Sequence, residues 1–170
     1  LLEDYVNGVN TQLRYRIQQT TGDPFSFRKG GIAVYGTLKE HISKQCRQKD
    51  HLRLKVIYVI KAHKVMMLER MVYFMKILGS HKLSAIRDSY EGVLNSATLL
   101  LNLVIKYNMA PKPSSGERMQ QLIDDMKDSE ISILKEFIAV LGENVSENPI
   151  SKTDPTFHCR QYNDIVKSDT

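Results

Sequence analysis

The sequence predicts an all-α protein: an antiparallel bundle of about five helices with a polar, partly flexible C-terminal tail. Apolar residues recur at three- and four-residue spacing through most of the chain, which is typical of helices that bury one face. Trp is absent, and Gly and Pro number only 9 and 5, so residues that break helices are sparse. Short connections separate the periodic segments and favour antiparallel neighbours in a bundle.

Three helices are expected in the N-terminal half. Their predicted bounds are 2–19, 32–48 and about 51–78. Asn7-Gly8 weakens the first helix, because Gly costs about 1 kcal/mol relative to Ala in a helix interior. Asp50 is the expected N-cap of the third helix, and Gly79 is expected to close it.

Two more helices are expected in the C-terminal half. The fourth, 81–107, keeps its apolar residues in strict register. A linker with two prolines precedes the fifth helix, which Ser115 is expected to cap and Gly142 to end, with a break near Ser129. We therefore expect a helical bundle domain over 1–142 and a polar tail over 143–170.

Composition places the chain among ordinary intracellular proteins, cytoplasmic or nuclear. Its 42% hydrophobic and 25% charged residues are typical of a globular domain, and no apolar stretch is long enough to span a bilayer. The two cysteines, Cys46 and Cys159, lie far apart in the sequence and form neither a disulfide framework nor a paired metal-ligand spacing. They are expected to be free thiols in a reducing compartment.

Charge is divided unequally between the two halves. Residues 1–82 hold 15 Lys and Arg against 6 Asp and Glu, whereas residues 83–170 hold 9 against 13. The basic excess is steepest between Arg28 and Lys64, where only Glu40 and Asp50 oppose it. Such a block concentrates anionic partners around the protein.

Nucleic acid is the anionic partner that the basic block favours, because rows of cations neutralise phosphates and release counterions. RNA or a single strand is favoured, since no recognition helix or zinc finger is present and Phe25, Phe27, Tyr35 and Tyr58 could stack on unpaired bases. The competing interpretation is a set of solvated helix faces that complement the acidic half. The predicted binding residues are Arg28, Lys29, Lys44, Arg47, Lys49, Arg53, Lys55, Lys61 and Lys64.

Two other kinds of partner stay open. A protein–protein interaction or oligomerisation module, an adaptor or scaffold, would set its basic half against an acidic protein surface or the acidic half of a second copy. An anionic membrane surface is the third hypothesis and would need exposed apolar residues beside the charges, for example Phe25 and Phe27.

No enzyme, metal site or cofactor is predicted. His41 and Cys46 are five residues apart, so a helix points them in different directions. Segment 31–38 has the glycine spacing of a phosphate-binding loop but lacks the following Lys and Ser or Thr. Asp124 and Asp128 lack the Glu-x-x-His partner of a di-metal bundle. The acidic run that ends at Glu130 is expected to form the exposed face of the fifth helix, and packing near the basic half and mimicry of a nucleic-acid ligand stay open as alternatives.

Overall fold

The computed structural model describes residues 2–8 and 31–147. These residues form α-helices and contain no strand, which confirms the predicted all-α class for the described part of the chain. The helices are α1 (Leu2–Val6), α2 (Ala33–Gln48), α3 (Leu54–Leu78), α4 (His81–Met109) and α5 (Pro113–Glu147).

The chain divides into two units, Leu1–Val140 and Leu141–Thr170. All of the side-chain contacts described below belong to the first unit. The described part of the second unit is the C-terminal end of α5. The predicted boundary between bundle and tail after residue 142 stays a prediction.

The first helix is shorter than the sequence pattern predicts. It ends at Val6, and Asn7 and Gly8 form a turn in which Gly8 has a φ of 67°. Glycine adopts this left-handed conformation without steric cost, and the interior of a right-handed helix does not contain it, so the helix ends here. The turn packs against the start of α2, where a Cβ on Gly8 would lie 3.2 Å from the Cβ of Ala33. The rest of the predicted helix, 9–19, lies outside the described residues.

The expected Asp50 cap on α3 is wrong. The helix begins at Leu54, and its N-cap is Arg53 in an extended conformation. The physical reason is a tertiary contact: the side-chain amide of Asn108 accepts from the backbone N–H of Leu52 at 2.8 Å and donates to its carbonyl at 2.9 Å. These two bonds use both backbone polar groups of Leu52 outside the helix, so the first helical turn forms after it.

The last helix runs further in both directions than predicted. It starts at Pro113, since proline suits the first turn of a helix, and it continues through Ser129 and Gly142 without the expected break. The buried residues Met126, Glu130 and Leu134 follow one another at four-residue spacing across Ser129. One continuous buried face therefore favours an unbroken helix there.

Helix α4 supplies the most continuous part of the core. Its predicted bounds differ from the observed ones by two residues at the C-terminal end, and Gly79 closes α3 in the left-handed conformation just before it. Helices α3 and α4 pack along each other in a helical bundle. No described helix is long and apolar enough to cross a membrane. The register predicted for α4 is buried throughout: Leu83, Ile86, Tyr90, Val93, Ala97, Leu100, Val104 and Tyr107.

Candidate nucleic-acid interface

Lys64, one of the predicted binding residues, does not lie on the surface. Its side chain is buried, and its Nζ lies 2.7 Å from each carboxylate oxygen of Glu130, which is itself fully buried. An ammonium held in this way is not available to an external phosphate, so Lys64 is removed from the predicted interface. The expectation that Glu130 lies on the exposed face of the last helix is likewise wrong, because Glu130 is buried.

Three tyrosine hydroxyls complete the environment of the Glu130 carboxylate. Tyr90 donates to Oε1 at 2.5 Å and Tyr35 donates to Oε2 at 2.7 Å. Tyr5 lies 3.3 Å from both oxygens and accepts a hydrogen bond from Lys64 at 2.9 Å. We call Glu130, Lys64, Tyr5, Tyr35 and Tyr90 the Glu130 cluster. Each described helix contributes one member, so the cluster joins all of them at one buried point.

Burial sets the protonation states of the Glu130 cluster. It raises the pKa of Tyr5, Tyr35 and Tyr90, and the neighbouring Glu130 carboxylate raises them further, so the three phenols stay protonated and donate. Burial also lowers the pKa of Lys64, and the same carboxylate opposes that shift. The buried carboxylate is thereby surrounded by donors that compensate its lost hydration.

A cavity of about 290 Å³ opens beside the Glu130 cluster. Val59 and Ile60 contribute apolar walls, and His63 stacks on the Tyr5 ring with centroids 5.1 Å apart. The Lys64 ammonium, which lines the cavity, is already bonded to Tyr5 and to both oxygens of Glu130. The bonds of Lys64 therefore join α1, α3 and α5 at one buried point.

Two connections, the one between α2 and α3 and the one between α4 and α5, lie together at one end of the first unit. Asn108, near the end of α4, is bonded to Leu52, which lies between α2 and α3. The start of α5 packs on the end of α2, because a Cβ on Gly116 would lie 3.2 Å from the Cβ and Sγ of Cys46. These contacts bring four helix ends together, although they are distant in sequence.

The end of the first unit where these helix ends meet carries many exposed cations. Five of the predicted residues lie on it, at the end of α2 and the start of α3, and three more come from the end of α4 and the start of α5. Glu40, Asp50 and Glu117 are the exposed carboxylates nearest to them in sequence. We define the basic end as Lys44, Arg47, Lys49, Arg53, Lys55, Lys106, Lys112 and Arg118.

Sequence reasoning missed the last three of these residues because they belong to the half of the chain with net negative charge. An available signal would have found them. In an antiparallel bundle, the connection between the second and third helices lies at the same end as the connection between the fourth and fifth. Lys112 lies in that second connection, and Lys106 and Arg118 flank it.

The remaining predicted residues are not part of the basic end. Lys61 is half-buried and lies about 9 Å along α3 from Lys55, at 1.5 Å per helical residue. Arg28 and Lys29 lie outside the described residues, as do Phe25 and Phe27. Of the residues expected to stack on bases, Tyr35 is buried in the Glu130 cluster and Tyr58 is exposed.

A groove of about 600 Å³ lies between the end of α4 and the start of α5, within the basic end. Met109, a large apolar residue in its lining, is 81% exposed. We call this feature the α4–α5 groove. Its lining residues are Leu103, Lys106, Met109, Ala110, Lys112, Ser114, Ser115 and Arg118.

The described residues hold no group of three or more His, Cys, Asp and Glu side chains that could bind a metal ion. Asp124, part of the acidic run, is bonded instead to Lys39. Comparison with models of protein families, with curated proteins and with solved structures found no match to this chain.

Proposed function

We propose that this protein is a non-enzymatic, intracellular helical module that binds RNA or single-stranded nucleic acid through its basic end. What supports the proposal is that the four helix ends that contact one another carry eight exposed cations. Rows of lysine and arginine on one face neutralise successive phosphates, and the release of their counterions supplies affinity.

The proposal includes an antiparallel course of α2 to α5. Helices α3 and α4 pack along each other and are joined by Gly79 and Ser80 alone, which leaves no room for a parallel return. The bonds between Asn108 and Leu52 then place the end of α4 beside the start of α3. This course is what gathers the positive charge of both halves at one end.

An unpaired strand is favoured over a duplex because the cations surround a groove rather than a protruding helix. Sequence-independent binding of single strands combines a cationic path for the backbone with apolar or aromatic side chains against the bases. Met109 supplies exposed apolar surface of this kind among the cations.

A protein–protein interaction module is the second candidate, and a separate observation favours it. Along α3, the apolar side chains of Val59, Met66, Tyr73 and Ile77 are each more than half exposed. Their spacing of seven, seven and four residues places them on one helix face. A face of this kind suits a partner helix, which could be that of a second copy.

The test measures fluorescence anisotropy of a labelled single-stranded RNA and of a matched duplex at several salt concentrations. We expect a steep loss of affinity with salt, with a slope of about 0.7 per phosphate neutralised on a single strand. Replacing Arg47→Glu and Arg53→Glu together should weaken binding strongly and reduce this slope, because both side chains lie on the basic end.

The matched control reverses two exposed lysines elsewhere, Lys76→Glu with Lys135→Glu, which changes the net charge equally. Lys76 lies about 35 Å along α3 from Arg53, and Lys135 lies about 25 Å along α5 from Arg118. An equal loss of affinity in both double variants would show that only net charge matters, and unchanged affinity in the first would contradict the proposal.

A further inference from the structure

We infer that the α4–α5 groove holds one unstacked nucleotide of the bound strand, with its phosphate against Lys106, Lys112 and Arg118 and its base against Met109. This inference rests on the proposed function and deepens it. It assigns a subsite within the basic end and names the chemical class of its occupant.

The size and charge of the groove favour a small anionic ligand. Its volume of about 600 Å³ lies within the roughly 300–1,000 Å³ typical of small-molecule sites. Its lining contains three cations, Lys106, Lys112 and Arg118, which we call the rim, and no carboxylate, so an entering phosphate meets positive charge. Ser114 and Ser115 add hydroxyl groups that donate hydrogen bonds to phosphate or sugar oxygens.

The apolar side chains among the lining residues, which we call the floor of the groove, favour a ring. Met109 and Ala110 are exposed, and the mostly buried Leu103 is also part of the lining. A methionine thioether makes favourable contacts with aromatic rings, and its flexible side chain adapts to different ones. A single exposed hydrophobic residue is ordinary on a protein surface. Here the surrounding cations distinguish Met109 from the exposed apolar residues of α3.

The pairing of an apolar floor with a cationic rim selects a single strand. In a duplex, both faces of each base are covered by neighbouring bases, so the floor would gain no contact. An unpaired nucleotide offers its base to the floor while its phosphate reaches the rim. The groove therefore predicts a preference for single strands that depends on Met109 and is independent of net charge.

The test uses the full chain with Met109→Ser, which removes the apolar contact and leaves the charge unchanged. We expect affinity for a single-stranded RNA to fall about fivefold to tenfold, the lower part of the range for one base contact. Duplex affinity and the salt slope should stay as in the wild-type protein. The matched control is Met66→Ser on α3, where the methionine is also exposed, and it should change neither affinity.

A Lys112→Gln variant separates the rim from the floor. Because it removes a phosphate contact, it should weaken binding of both nucleic acids and reduce the salt slope by about 0.7 for the single strand. A single strand carrying one photoreactive 4-thiouridine should cross-link to a peptide within 103–118. Cross-links confined to other peptides would overturn the location.

The outcomes distinguish the inference from the proposed function. If wild-type protein binds neither nucleic acid at low salt, both are wrong. If it binds with a steep salt slope but Met109→Ser has no effect, the groove assignment is wrong and the basic end stands. Equal weakening of single strand and duplex by Met109→Ser would show no selection of an unstacked base. Displacement of the strand by polyglutamate of equal charge and at equal concentration would instead indicate an acidic protein partner.

Discussion

Lysines that look alike in the sequence have opposite environments in the Glu130 cluster and at the basic end. Lys64 is 2% exposed and has both oxygens of a carboxylate within 2.7 Å. Lys44 and Lys112, in contrast, are exposed on a surface where cations outnumber carboxylates. The difference teaches that positive charge here has two uses. The buried charge of Lys64 is neutralised by Glu130, and this pair joins helices. The exposed charges of Lys44 and Lys112 remain available to an anion.

The largest expected effect comes from breaking the buried pair. Glu130→Gln leaves the Lys64 ammonium buried without its counter-charge, so we expect the free energy of unfolding to fall by about 3–5 kcal/mol. Urea unfolding followed by circular dichroism measures this. The double variant Lys64→Met with Glu130→Leu should lose less than the two single changes added together, because no unpaired charge remains. A loss under about 1 kcal/mol for Glu130→Gln would contradict a buried ionic junction.

The tyrosines of the Glu130 cluster should differ in how much each hydroxyl contributes to the free energy of unfolding. Tyr90→Phe removes a 2.5 Å bond to a buried charge and is expected to cost about 1.5–3 kcal/mol. Tyr5→Phe removes the 3.3 Å bonds to Glu130 and the 2.9 Å bond that the hydroxyl accepts from Lys64, but the Tyr5 side chain is only part-buried, so its cost should be smaller. The same unfolding experiment ranks them. If Tyr5→Phe proved the more damaging, the bond lengths would not reflect the energetics.

Alkaline pH should destabilise the fold through the same tyrosines. Their pKa values are raised in the folded state, whereas in the unfolded chain tyrosine titrates near about 10. Their contribution to stability is therefore complete below about pH 10 and is lost progressively as pH rises above it. Tyrosinate absorbance followed together with circular dichroism checks this. Part of the absorbance change should coincide with unfolding and shrink in Tyr35→Phe with Tyr90→Phe; ionisation of these residues before unfolding would contradict it.

The smallest expected change in the free energy of unfolding comes from a surface ion pair, which, like the Lys64–Glu130 pair, joins a lysine to a carboxylate. Lys39 is bonded to Asp124, and their side chains are 39% and 41% exposed. Solvent screens such a pair, so Asp124→Asn should change the free energy of unfolding by less than about 1 kcal/mol. Measured beside Glu130→Gln, it isolates burial as the cause of the difference. Equal losses in the two variants would show that burial is not what matters.

Local periodicity was sufficient to predict α2 and α4, because each has one regular apolar face. The start of α3 was not predictable in this way, since Asn108 fixes Leu52 from 56 positions away. The turn after α1 depends on contact between Gly8 and α2, which is also a tertiary effect.

The basic residues at the end of α2 and the start of α3 were evident from composition, but their neighbours were not. Lys106 and Arg118 join them only through the packing of helix ends. The sequence does contain a pattern that predicts the buried pair of the Glu130 cluster. Lys64 and Glu130 each occupy a position in an apolar register, with Ile60 and Met67 around one and Met126 and Leu134 around the other. A charge at a core position on each of two helices predicts a buried pair.

The most direct test of the account compares the salt dependence of single-stranded RNA binding for Lys49→Gln, for Lys112→Gln and for both together. The two lysines come from opposite halves of the chain, and both are exposed beside helix ends that contact one another. We predict that each change reduces the salt slope by about 0.7 and that the double variant loses both increments. An effect of Lys49→Gln alone, with Lys112→Gln indistinguishable from the wild-type protein, would contradict a single basic end.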